Sequence, residues 1–255
     1  MKIKYSVNLD AVFSGVDPVT AIEGVKAAGY DCFEFMRYFG KDLQAMKSKA
    51  DALGVICVSF SGKPKPINLT DPAAQNDFIE VLKGAVEATK IFGNKRLVVT
   101  AGDDTGARRD YQHKALVNAL KKAVPIAAEN NITLMLEPLN GRVNHIGTYL
   151  EYSDEGFEII NEVGSANVRL LYDIYHQQIT EGDVLRRILA NIKLIGHIHT
   201  AGSYGRKELD LGELDYRRII EKIIEAGYDG YIGFEYWPAA DNLTGLKRMR
   251  ECMPR

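Results

Sequence analysis

Four residues in the second half of the chain could together do chemistry. Glu137 closes the apolar run Thr133-Leu134-Met135-Leu136, Asp173 closes Leu170-Leu171-Tyr172, His199 closes Gly196-His197-Ile198, and Glu235 closes Gly233-Phe234. If each run is a β-strand, four consecutive strands deliver Glu, Asp, His and Glu to one rim. Three carboxylates crowded together repel one another and raise their own pKa values unless a cation is present. One divalent metal removes that conflict. Three hard oxygens and one imidazole suit Mn²⁺, Mg²⁺ or Co²⁺, with Zn²⁺ as a further option. The set has no cysteine, unlike structural zinc sites, and does not match H-E-x-x-H. A single carboxylate at a strand end is more often a helix cap or loop anchor. Four in the same register point to a metal instead.

The elements that must position these residues recur along the whole chain. Strands are expected at 3–9, 32–36, 55–60, 96–101, 133–138, 168–175, 194–201 and 230–237, each short, rich in β-branched and aromatic residues, and flanked by Gly, Asn or Asp. Helices fill the intervals. Asp17-Pro18 and Asp71-Pro72 place a capping Asp before a Pro at the first helical position. Ser153 is read as the cap of another helix, and the last begins near Asp241. Ala28-Gly29-Tyr30-Asp31 and Ala226-Gly227-Tyr228-Asp229 repeat one helix-to-strand joint, with Gly as the left-handed exit residue. Eight strands alternating with eight helices require parallel pairing. The strand after which an open sheet would carry a phosphate loop reads Asn8-Leu9-Asp10-Ala11-Val12-Phe13-Ser14-Gly15, which matches no such motif. The fold class is therefore α/β: a single (β/α)8 TIM barrel with a closed parallel sheet over residues 1–255. In that fold the active site lies at the C-terminal ends of the strands.

Side chains alternate along a strand, so His197 shares the face of His199 but lies a layer deeper. It is expected to be a hydrogen-bonded support, and Glu34, inside its strand, a core-paired or supporting group. Lys63, in the loop after strand three, could meet a substrate carboxylate or phosphate but is read first as a solvated surface lysine. In the loop after strand five, Asn140, Arg142 and His145 are placed to reach a substrate, with Asn140 and His145 retained as site residues. Trp237 ends the last strand, where it can close the apolar side of a pocket or simply pack.

Composition narrows the function classes. The chain has 255 residues, with 34 acidic and 32 basic side chains and a net charge of −2. It therefore lacks the basic footprint of a nucleic-acid binder. No run approaches the ~18 apolar residues of a membrane span, and no signal peptide opens the chain. Cys32, Cys57 and Cys252 form no C-x-x-C pair and fit a reducing, cytoplasmic setting.

With these segments in view, the chain resembles the xylose isomerase-like TIM-barrel superfamily, and within it the hydroxypyruvate isomerase-type proteins. The resemblance spans nearly the whole chain and is densest in Glu137-Pro138-Leu139-Asn140, Tyr172-Asp173-Ile174-Tyr175-His176, Gly196-His197-Ile198-His199, Gly205-Arg206 with Gly212-Glu213-Leu214-Asp215-Tyr216, and Gly230-Tyr231-Ile232-Gly233-Phe234-Glu235-Tyr236. It implies that Glu137, Asp173, His199 and Glu235 bind the metal. It implies that His176 and Arg206 contact substrate oxygens and that Glu137 and Glu235 are the proton-transfer pair. It also implies that a homo-oligomer is common. One departure is visible. Hydroxypyruvate isomerases often carry Gln at the third ligand position, whereas this chain has His199, as the related ketose 3-epimerases do.

The expected reaction is aldose–ketose isomerisation of a small sugar or hydroxy-keto acid through a metal-stabilised enediolate. Ketose 3-epimerisation at the same site is the alternative, because a second glutamate could return the proton to the same carbon. An endonuclease-type metallohydrolase is disfavoured by five histidines and a charge of −2. A catalytically silent sugar-binding barrel is disfavoured because none of the four ligands is lost.

Overall fold

The computed structural model describes residues 3–63 and 66–254. Eight strands, β1 (Lys4–Asn8), β2 (Cys32–Phe35), β3 (Ile56–Ser61), β4 (Arg96–Thr100), β5 (Thr133–Glu137), β6 (Val168–Asp173), β7 (Ile195–Thr200) and β8 (Tyr231–Phe234), lie in sequential order in a closed barrel. Every neighbouring pair is parallel, including β8 with β1. All eight expected strands are present, with ends moved by a few residues at most.

The helices number ten among the described residues, not eight: α1 (Leu9–Val12), α2 (Pro18–Ala27), α3 (Leu43–Leu53), α4 (Gln75–Phe92), α5 (Arg109–Glu129), α6 (Ser153–Val163), α7 (Ile174–Thr180), α8 (Val184–Asn191), α9 (Tyr216–Glu225) and α10 (Asn242–Cys252). The two extra ones, α1 and α7, start directly at strand ends. Each is capped by the residue that ends the strand. The Asn8 side chain accepts from the Ala11 N–H at 3.2 Å, and Asp173 Oδ1 accepts from the Tyr175 N–H at 2.8 Å. Helices of this length leave no periodic signature in sequence, which is why a count of eight missed them.

The capping expectations hold at Asp17 and Asp241, which accept from Thr20 and Thr244. Asp71 caps a short 3₁₀ turn, Pro72–Ala74, that leads into α4. Ser153 does not cap. Tyr152 is the cap residue of α6, and the Ser153 hydroxyl donates to the Glu181 carboxylate instead. Ser153 is the first residue inside the helix, one place past the cap position, and its N–H and hydroxyl both donate to Glu181, which serves the helix end in its place.

The repeated Ala-Gly-Tyr-Asp joint is one structure used twice. Gly29 and Gly227 both have φ +85°. The Tyr30 and Tyr228 N–H groups reach back to Val25 and Ile223 carbonyls at 3.1 and 3.2 Å. Both tyrosines are buried against the barrel. This six-to-one bond satisfies a helix-end carbonyl and turns the chain into the next strand.

Alternation along the strands sorts the core into two layers. Tyr172, Ile198 and Phe234 face the helices; Tyr172 stacks on Phe157 of α6, and Phe234 packs on Tyr5 and Tyr30. Their neighbours Asp173, His199 and Gly233 stand in register with one another facing the barrel axis. No helix among the described residues is long and apolar enough to cross a membrane.

Candidate metal centre and its cavity

Glu137, Asp173, His199 and Glu235 converge at the C-terminal mouth of the barrel. One ligand atom from each lies within 4.8 Å of the others. Register explains the convergence. Asp173 pairs with His199 and His199 with Gly233; Glu235 follows two residues later on the same face, and Glu137 ends β5, so β5, β6, β7 and the residue after β8 each bring one group to the mouth. All four are buried, with Asp173 0% exposed and His199 3% exposed.

The electrostatics show what the cluster lacks. Burial, reinforced by the Glu235 charge, pushes the Glu137 carboxyl up to about 8. Asp173 is also raised by burial, against the opposing pull of Arg206 and His199. Glu235 is buried too, yet His199 and Arg206 outweigh that burial and hold it below its ordinary value. His199 is held well above the usual imidazole range by Glu34 and Glu235, which overcome its burial. Its Nδ1 lies 3.6 Å from Glu235 Oε2 and 3.9 Å from Glu137 Oε1 without forming a hydrogen bond to either. An unpartnered imidazole nitrogen facing three crowded carboxylates is a donor set that a divalent cation completes. The residues present therefore fit a metal.

Arg206 is the cation that stands among these carboxylates. Its Nη2 contacts Glu235 Oε2 and lies 3.2 Å from Asp173 Oδ2, while its Nε donates to the Glu235 carbonyl at 3.3 Å. The guanidinium lies between the rings of Tyr175 and Trp237, 5.0 and 5.1 Å from their centroids. Three consecutive left-handed residues present it: Tyr204, Gly205 and Arg206 have φ +77°, +81° and +53°. For the two non-glycines this costs of order 1 kcal/mol or more each, a strain typical of functional loops.

The cluster forms part of the wall of a cavity of about 300 Å³, which His145, His176, Arg206 and Trp237 also line. Phe35, Met36, Val98 and Leu139 supply an apolar wall. Trp237 thus faces the cavity. His145 sits at the exposed mouth, its ring 5.2 Å from that of His176.

Asn140 lies behind His176 and is not part of the wall. Its backbone N–H and side-chain Nδ2 both donate to His176 Nδ1, at 3.3 and 2.6 Å. Nδ1 is thereby an acceptor, so the Nε2 of the neutral ring carries the proton, 3.5 Å from Asp173 Oδ2. Burial depresses His176 well below the usual imidazole range, which keeps it neutral. His176 is thus built as a fixed donor, not as a titrating base. Replacing Asn140 by Ala is expected to lower kcat/KM about tenfold, the worth of one hydrogen bond, with divalent-ion affinity unchanged by calorimetry. A large loss of ion affinity would place Asn140 in support of the ligands instead.

Lys63 departs from the solvated-surface expectation. It is buried, its Nζ donates to the Ile67 carbonyl at 2.7 Å, and burial lowers its pKa to about 8. A loop carbonyl satisfies the ammonium, which no sequence pattern announces. Arg142 does not line the cavity. The sequence reading missed Asn8, whose Nδ2 donates to Glu235 Oε1 at 3.0 Å. It ends β1 as Glu137 ends β5, so the strand-end test applied to the first strand would have found it.

Comparisons with known proteins agree with this geometry. Residues 22–253 match the family model described as xylose isomerase-like TIM barrel. A 2-oxo-tetronate isomerase of Cupriavidus necator is 31% identical over 259 residues, covering 99% of each chain. A hydroxypyruvate isomerase of Escherichia coli is 25% identical over 267 residues, covering 97% of this chain and 98% of its own. Among solved structures, one titled AP endonuclease, family 2, from Brucella melitensis superposes with a TM-score of 0.89 at 23% identity, covering 99% of this chain and 100% of that one. At that identity the likeness is one of fold.

Proposed function

The chain belongs to the xylose isomerase-like TIM-barrel family, and on that premise we propose that it is a metal-dependent isomerase of small sugars or hydroxy-keto acids, working in the cytoplasm as one barrel domain spanning residues 1–255. The observation that carries the reading is the convergence of Glu137, Asp173, His199 and Glu235 within 4.8 Å, with Glu137, His199 and Glu235 on the wall of an open cavity. These four would hold one divalent ion, Mn²⁺, Mg²⁺, Co²⁺ or Zn²⁺. When bound, the ion supplies Lewis acidity, which polarises a substrate carbonyl and eases loss of the neighbouring carbon-bound proton.

The chain's own residues do the rest. Glu137 and Glu235 are the proton-transfer pair. They reach the cluster from different strands, Glu137 from the end of β5 and Glu235 from the residue after β8. Asn8 and Arg206 orient the Glu235 carboxylate. His176 offers its fixed Nε2–H to a substrate oxygen, His145 guards the mouth, and the apolar wall keeps water away from the carbanionic carbon. The names of the two curated relatives favour an acid substrate of three or four carbons. Epimerisation is the second reading. His199 at the third ligand position and a glutamate at each of two strand ends favour it.

Incubation with hydroxypyruvate, 2-oxo-tetronates and short ketoses in deuterated water with Mn²⁺, followed by NMR after the ion is removed, tests the proposal. An isomerase exchanges a carbon-bound proton and moves the carbonyl; an epimerase exchanges it and leaves the carbonyl in place. Absence of any exchange across the panel, together with nicking of abasic DNA, would overturn the reading in favour of a hydrolase.

A further inference from the structure

Beneath the cluster the barrel axis is polar, and Glu34 is its pivot. Glu34 lies on β2, on the far side of β1 from β8, and is 1% exposed. Its Oε2 accepts from Ser59 Oγ at 2.8 Å and lies 2.9 Å from His197 Nε2, which makes that nitrogen the donor. Its Oε1 faces His199 Nε2 at 3.3 Å, outside hydrogen-bond geometry, and neither of those two buried atoms has any hydrogen-bond partner. The His197 and His199 rings stand edge to face, 4.9 Å apart, with Glu34 spanning both.

The carboxylate reaches this position because Gly233 has no side chain. A Cβ there would come within 2.1 Å of Glu34 Oε1 and 2.7 Å of His199 Cδ2. Gly233 is the residue of β8 in register with His199, so the barrel keeps open the one space through which Glu34 meets that ring.

We propose that Glu34 is a positioning residue for the metal centre: it faces the Nε2–H of His199 and sets the ring so that the Nδ1 lone pair is free for an ion shared with Glu137, Asp173 and Glu235, with Gly233 providing the room. The inference rests on the metal-centre reading above. A metal-ligating histidine commonly donates its other N–H to a carboxylate, which fixes the ring's tautomer and orientation. Glu34 is well suited to the task because Ser59 Oγ and His197 Nε2 both donate to its Oε2, which fixes the carboxyl group and leaves Oε1 turned toward His199. Glu34, His197 and His199 also come close enough together to be considered as a second ion site. The hydrogen bonds at 2.8 and 2.9 Å already engage Glu34 Oε2, and this favours a support over a ligand.

The test is calorimetric titration of Mn²⁺ into the parent, Glu34→Gln and Gly233→Ala, with ¹⁵N-histidine NMR of the Zn²⁺-loaded proteins. Glutamine keeps the shape of Glu34 but must turn an N–H₂ toward one of the two histidines. Both variants are expected to bind Mn²⁺ about 10–100-fold more weakly, Gly233→Ala doing so with Glu34 still present. In the parent, His199 is expected to be ion-bound at Nδ1 and protonated at Nε2. Parent-like affinity in a folded Glu34→Gln overturns the proposal while leaving the metal-centre reading intact. If that variant does not fold, the parent spectrum decides alone: a proton on Nδ1, with Nε2 toward the ion, overturns it. A parent that binds no divalent ion overturns both.

Discussion

Glu137→Gln and Glu235→Gln each cut exchange of the substrate's carbon-bound proton by at least about 10²–10⁴-fold, the range that positioned acid–base groups contribute. Both variants keep a cooperative thermal transition. Glutamine preserves the volume of the side chain but cannot take and return a proton; it also removes one anionic ligand, and at Glu235 it sets an N–H₂ against either Asn8 Nδ2 or Arg206 Nη2. In the ion-free protein the two variants then part company. The folded pKa of Glu137 is raised to about 8 from an ordinary 4.5. A raised carboxyl penalises the fold once pH exceeds the ordinary value, and the penalty grows until pH passes the folded value. Ion-free Glu137→Gln is therefore expected to melt above the parent at pH 8, with the gap closing below about pH 4.5. Glu235 has its pKa lowered, so its carboxylate stabilises the fold at neutral pH, and ion-free Glu235→Gln is expected to melt below the parent. Scanning calorimetry with chelator present measures both. Retention of parent-level exchange in either variant removes it from the proton-transfer pair.

Stripping the protein with a chelator is the second large perturbation. An ion present at about a hundred times its Kd stabilises the fold by ~2.7 kcal/mol, and in a chain of this size each kcal/mol moves Tm by roughly 2–4 °C. Chelation is thus expected to lower Tm by about 5–10 °C and to abolish exchange, with both restored by Mn²⁺. His199→Ala and Asp173→Asn should respond to neither chelator nor added ion. A parent whose Tm is the same with and without Mn²⁺ would count against an ion at this cluster.

How far the sequence foretold all this depended on what kind of signal each residue leaves. The barrel was legible because eight apolar runs and repeated Gly exits recur with a regular spacing, and the strand-end residues Glu137, Asp173, His199 and Glu235 followed from it directly. Glu34 was legible only as a charge inside a strand. Its histidine partners stand on β7, and pairing between strands so distant in sequence leaves no local pattern. Arg206 sits in a loop of left-handed residues outside any periodic element, and family resemblance alone marked it. Helices α1 and α7 are too short for periodicity, and Ser153 satisfied the composition of a cap while standing one place past the cap position.

The caps at Asn8 and Asp173 bear on how the site can move. A strand end that is also the first turn's cap has no slack peptide between sheet and helix, so nothing there can act as a hinge. The β1 and β6 sides of the mouth are in effect bolted to the barrel. The loops after β5 and β7 are not tied in this way, and there Val143, Ile146 and Tyr204 project into solvent. Anchored and exposed stretches thus alternate around the rim: the capped end of β6 stands between the exposed loops after β5 and β7, so each of those loops flanks a fixed post.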